Sequence, residues 1–211
     1  YIDDKKVANI TTMVNRNGKI VYYESFGNRG FDDKKKIKKD DLYRIYSMTK
    51  PITAYLTLVV LENNGIDLHD CVGKYVPEID NLEIAYKEGD TIEYKKNDVP
   101  ISFHHLLSFT SGHAYEHHDP IISELLSKKE IAPMKIGDDS FLQAPLVFTP
   151  GSRWGYGISY GWLGKAIEAI SGVGLDENLK KYLCQPLGLE KTSFNPSQSS
   201  RDTLAPVYFR D

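Results

Sequence analysis

The sequence predicts an α+β fold: an antiparallel sheet packed against helices, with a mostly helical second region. Three observations predict it. Two β-rich runs, 10–14 and 20–23, flank Asn15-Arg16-Asn17-Gly18, and Asn-Gly is a hairpin signal because both residues tolerate positive φ. Apolar residues then recur at helical spacing through much of the middle of the chain. Hydrophobic residues make up 41% and aromatic residues 11% of a 211-residue chain, enough apolar material for a sizeable core.

The elements follow in order. After the hairpin, Gly27 and Gly30 break the pattern, and a short apolar run, 42–46, delivers the chain to Ser47. A helix is predicted over 51–63. Pro51 suits its first turn, where the missing N–H would have no partner. Ile52, Leu56, Val59 and Val60 mark the buried face, and Asn64-Gly65 is the stop. Leu68, Val72, Tyr75 and Val76 read as anchors in a loop, and 81–100 reads as a polar, strand-poor excursion. A second helix is expected over 101–109, with Ser102 as a possible N-cap and Gly112 as the stop. A His-rich turn and a short helix, 121–129, follow. A helix over 160–170 carries Leu163, Ile167 and Ile170 on one stripe, and another over 175–183 is ended by Pro186. The whole reads as one domain, 1–211: hairpin and approach to residue 50, a mostly helical region over 51–190, and the start of a return to the sheet over 191–211.

Composition excludes several function classes. A net charge of -3 leaves no electrostatic footprint for nucleic acid. The basic run at residues 34–39 is bracketed by Asp32, Asp33, Asp40 and Asp41 and reads as a solvated edge. Apolar runs such as 56–61 are far too short for a membrane span. Cys71 and Cys184 could be two thiols or one bridge. His113 and His117 stand four apart, but no third ligand of matching spacing accompanies them. No metal and no cofactor is assigned.

The stretch that carries chemistry is Ser47-Met48-Thr49-Lys50. A serine hydroxyl needs a base to take its proton. Residues three apart on a helix share a face, and the helix N-terminus favours a developing alkoxide. The plainer role for Ser47 is that of a helix N-cap. Two further landmarks stand in order behind it. One is His105-Leu106-Leu107-Ser108-Phe109-Thr110-Ser111-Gly112. The other is Pro150-Gly151-Ser152-Arg153-Trp154-Gly155-Tyr156, followed by Trp162-Leu163-Gly164-Lys165-Ala166-Ile167-Glu168.

Together these landmarks resemble the serine β-lactamase-like family, which includes class C β-lactamases, D-alanyl-D-alanine carboxypeptidases, esterases and transesterases. Ser-x-x-Lys is itself a signature of such enzymes. The resemblance implies a β-lactamase/transpeptidase-like fold and acyl transfer through an acyl-serine. Ser47 is then the nucleophile, Lys50 its partner amine, and Tyr156 the tyrosine of a Tyr-x-Asn or Tyr-x-Ser motif. Burial and a second cation would lower the Lys50 pKa, and a neighbouring ammonium would favour the Tyr156 phenolate. Either group could be the base. The third motif position is Ile158, and Ser159, one residue late, is the polar group expected at substrate, with Trp154 as pocket wall. That shift favours ester hydrolysis over β-lactam turnover. The expected partner is a small-molecule ester or amide. No Lys-Thr-Gly or His-x-Gly follows Asp202, so the resemblance also implies a chain short of its C-terminal strands. A missing oxyanion donor would cost on the order of a hundredfold in rate. The rival reading is a silent relative that uses the same cleft for binding or self-assembly.

Overall fold

The computed structural model describes residues 1–135 and 137–208. It has two compact units: Tyr1–Ser47 with the chain from residue 190 onward, and Met48–Leu189. The division falls inside the Ser-x-x-Lys tetrad.

The first unit is built on the expected hairpin. Strands β1 (Asn9–Arg16) and β2 (Lys19–Gly27) pair antiparallel, with a register shift between Val14 and Asn15. Asn17 and Gly18 make the turn with φ of 51° and 75°. Two left-handed central residues give the turn whose twist matches that of the paired strands. In the basic run the lysines at 34, 35, 36, 38 and 39 are exposed and Ile37 is buried. The chain from 190 returns beside the first segment: Leu42 N donates to Thr203 O (3.0 Å) and Ala205 N to Leu42 O (2.8 Å).

The second unit is mostly helical. Helix α1 (Thr49–Asn63) begins two residues before the expected start and buries Thr53, Leu56, Thr57, Val60 and Leu61. The threonines turn inward because their hydroxyls bond back to the helix, Thr53 to Thr49 O (3.2 Å) and Thr57 to Thr53 O (2.8 Å). A buried hydroxyl satisfied in this way costs little. Helix α2 (Phe103–Leu107) is shorter than expected. Ser102 Oγ accepts from His105 N (3.2 Å), and Ser102 N donates to His105 Nδ1 (3.3 Å), closing a reciprocal cap. Helix α3 (Pro120–Ser127) is capped by Asp119. Helix α4 (Ser159–Ser171) packs on both α1 and α2 and ends at the left-handed Gly172. Leu61 and Leu163 join one apolar cluster with Phe103, Leu106 and Trp162; Leu56, Val60 and Ile167 join another with Leu179 and Cys184. The α1–α4 pair is thus shared between two cores.

Two expectations are corrected. The stretch 81–100 is not strand-poor: β3 (Ile84–Glu88) and β4 (Thr91–Lys95) form a second antiparallel hairpin. Its loop is Gly89-Asp90, with Gly89 at φ +60°, the glycine-first loop of a tight hairpin. Pro186 does not end the last helix. Helix α5 (Leu175–Leu179) widens into a π turn, Lys180–Cys184, and continues as α6 (Gln185–Leu187) to the left-handed Gly188. Proline at 186 has no N–H for the Tyr182 carbonyl, and the Tyr55 hydroxyl donates to that carbonyl instead (3.2 Å). A short helix, α7 (Gln198–Arg201), belongs to the first unit. Cys71 and Cys184 are both free thiols. Among the described residues no helix is long and apolar enough to cross a membrane.

Candidate active site

Ser47 is the middle residue of a 3-10 turn, Tyr46–Met48, directly before α1. The residue ahead of it, Tyr46, has φ +44°. A left-handed tyrosine costs about 1–3 kcal/mol, a kind of strain that gathers at functional sites. The N-cap of α1 is Met48, and no side chain caps the helix there. Ser47 therefore does not serve as the N-cap that was its plainer role.

Lys50 lies in the first turn of α1 and is half-buried. Its Nζ sits 4.9 Å from the centroid of the Tyr156 ring and 5.7 Å from that of Tyr115. Burial pulls the ammonium down, but its hydrogen bonds to Tyr156 and Tyr115 and its electrostatic attraction to both phenol groups together outweigh it, so Lys50 stands above its usual value. The expectation of a lowered lysine is corrected here: the groups acting on the amine are phenols, not a second cation. Burial raises the Tyr115 phenol, with Lys50 opposing, and Tyr160 is raised by burial in the same way.

Tyr156 is the hub of an aromatic group. Phe109 lies 5.1 Å from its ring centre, Tyr115 5.2 Å, His118 5.7 Å and Trp154 6.4 Å. The backbone holds these rings in place. Tyr115 N donates to Tyr156 O (3.2 Å), Gly155 N to Phe109 O (2.8 Å) and Gly151 N to Thr110 O (2.7 Å). Gly157 makes the closest approach: a Cβ there would stand 2.5 Å from the carbonyl carbon and oxygen of His113. Gly157→Ala must push segment 113–115 away from 156–158. It is expected to cost about 1–3 kcal/mol, read as a lower midpoint in urea with unchanged m-value.

The two residues expected at substrate fare differently. Trp154 is 63% exposed beside Tyr156, a position open to a ligand. Ser159 is 0% exposed. Because α4 begins at Ser159, its hydroxyl turns inward and shares a hydrogen bond with Ser111 Oγ (2.9 Å), which in turn bonds His113 Nδ1 (2.9 Å). Substrate contact by Ser159 is therefore dropped; it belongs to an internal relay. The paired histidines are also separated, since His113 is buried while His117 is exposed with Nε2 3.5 Å from Glu116. Among the described residues no group of three potential ligands could hold a metal ion. The sequence reading missed Tyr115. It sits three residues beyond the Thr-Ser-Gly landmark and carries no motif of its own, so only its fold neighbour Lys50 identifies it.

The described geometry joins an amine to two phenols within the second unit, at the head of the helix that follows Ser47. Comparison with known proteins places it in context. The Beta-lactamase family model matches residues 1–210. The chain is 30% identical over 191 residues to ML-236A carboxylate methylbutanoyltransferase of Penicillium citrinum, covering 86% of this chain and 46% of that protein. It is 26% identical to Esterase EstB of Burkholderia gladioli, covering 99% of this chain and 54% of the esterase. Among solved structures, unliganded simvastatin synthase (LovD) from Aspergillus terreus matches with a TM-score of 0.85 at 25% identity, over 97% of this chain and 55% of that one. A β-lactamase/D-alanine carboxypeptidase from Yersinia pestis, at 22% identity and a TM-score of 0.72, shares the fold. The chain spans about half the length of the curated relatives it matches.

Proposed function

The chain belongs to the Beta-lactamase family, and on that premise we propose that it contributes the nucleophile and proton-handling groups of a serine hydrolase or acyltransferase. Ser47 is the nucleophile. Tyr156 accepts its proton, and Lys50 is the cation that makes that transfer favourable. The observation that carries this reading is the Lys50 ammonium seated 4.9 Å over the Tyr156 ring, on the first turn after Ser47. An amine held above its usual value is a poor acceptor at neutral pH but a good electrostatic partner, because opposite charge favours the ionised form of a neighbouring acid. The Ser47 oxygen then attacks the substrate carbonyl, and the proton held on Tyr156 passes to the leaving oxygen as the acyl-serine forms.

The substrate proposed is a small-molecule ester. Methylbutanoyltransferases and a lovastatin esterase stand among the relatives, and Ile158 occupies the place where a β-lactamase-like site carries asparagine or serine. The test is covalent labelling of the protein with a fluorophosphonate, followed by peptide mass mapping. The expected result is one adduct on Ser47, absent in Ser47→Ala and slowed in Tyr156→Phe. An adduct at another serine, or none at all, would sink the assignment.

A further inference from the structure

We propose that Tyr115 is a positioning residue for Lys50, a second phenol beside Tyr156 that holds the ammonium so that the amine stays in register with that phenol. The inference deepens the proposed function and rests on its reading of Lys50 and Tyr156 as a proton-handling pair. Lysine brings three N–H donors and no acceptor, so one ammonium can engage two phenols at once, and the second phenol further restricts the head on its four-carbon stem. Nζ lies 5.7 Å from the Tyr115 centroid and 4.9 Å from that of Tyr156, and the amine hydrogen-bonds to both side chains.

The two phenols are tied to each other as well as to the amine. Their ring centres are 5.2 Å apart with planes tilted by 59°, and the Tyr115 N–H donates to the Tyr156 carbonyl at 3.2 Å. Tyr115 also sits two residues after His113, whose backbone is pressed against Gly157. The position of Tyr115 is thus set by the same contacts that set Tyr156.

The chemistry of the surroundings explains why a phenol is used. The groups acting on the amine are Tyr156, Tyr115 and Tyr160; Glu116 acts on Tyr115, and His118 meets Tyr156 edge-on. A carboxylate in the place of Tyr115 would neutralise the ammonium and spend its charge. Burial favours the neutral form of Tyr115, so it offers only a dipole, and the full cationic charge remains directed at Tyr156. One phenol holds the amine and the other exchanges the proton.

The test follows the Lys50 ε-carbon by NMR in protein labelled with ε-13C-lysine, titrated from pH 8 to 11, for the unsubstituted protein, Tyr115→Phe and Tyr156→Phe. Phenylalanine keeps the ring packing and removes only the hydroxyl. In Tyr115→Phe the Lys50 midpoint is expected to fall by about half a unit or more, with the melting temperature little changed. In ester hydrolysis kcat is expected to fall about tenfold, with less than a twofold change in KM and the alkaline limb of the kcat profile moved the same way as the NMR midpoint. A folded Tyr115→Phe protein with an unmoved Lys50 midpoint overturns the inference. A lowered midpoint in a protein that hydrolyses no ester supports Tyr115 as the holder of Lys50 and sinks the proposed function instead.

Discussion

Replacing Lys50 by methionine is expected to lower kcat/KM for a p-nitrophenyl ester by about a thousandfold or more, with KM little affected. Methionine matches the stem of lysine in length and flexibility, so α1 and its contacts should hold. What disappears is the charge. The effect should fall on kcat and kcat/KM together, the signature of an interaction made in the transition state rather than with bound substrate. Lys50→Arg separates the two ways in which lysine could act. Arginine keeps a permanent cation but cannot give up its proton at any working pH. If Lys50 serves as a cation beside Tyr156, Arg is expected to recover about tenfold over Met, less than full activity because a planar fork fits poorly between two phenols. An Arg variant no better than Met would move the base role from Tyr156 to the lysine. The raised Lys50 argues for the former outcome.

The sequence carried the local features well. Asn17-Gly18 announced the first hairpin, Ser102 its cap, and the Leu163-Ile167 stripe the helix α4, because each is decided within a few residues of chain. The second hairpin went unseen because Ile84, Ala85 and Tyr86 are followed by charges, and Gly89-Asp90 was the one local signal of its turn. Pro186 misled because a π turn lets the helix pass through it while Tyr55 satisfies the stranded Tyr182 carbonyl. At the site, Lys50 and Tyr156 stand far apart in sequence, and only the resemblance to a family linked them. Tyr115 had no such link. Its partnership with Lys50 arises from tertiary packing, which no spacing rule encodes. Ser159 was placed at substrate by counting along the chain, but the start of α4 rotates it into the core. Counting gives the neighbourhood of a residue; the helix phase decides which way it faces.

Acid is expected to destabilise the second unit through one residue, His113. Burial alone depresses its pKa from 6.5 to about 3, and no charged neighbour offsets the loss of water. In the unfolded chain the imidazole takes a proton below pH 6.5; in the folded protein it stays neutral down to about 3. The unfolded state therefore binds more protons throughout that window, and stability rises with pH across it. The contribution is fully present above 6.5 and lost as pH falls, at about 1.4 kcal/mol per unit and on the order of 5 kcal/mol by pH 3. His113→Asn keeps a polar atom for Ser111 and removes the titration. Urea unfolding followed from pH 7 to pH 4 should give a stability curve for the unsubstituted protein that is steeper than that of the variant by nearly one proton's worth below pH 6. Parallel curves would show that His113 takes up its proton in the folded protein at the same pH as in the unfolded chain. The consequence reaches the site, because the His113 backbone lies against Gly157 and Tyr115 follows two residues later. Because the folded imidazole stays neutral down to about 3, acid reaches the phenols around Lys50 only through the growing unfolded population, so activity should fall where the protein unfolds and not along a separate titration of His113 in the folded state.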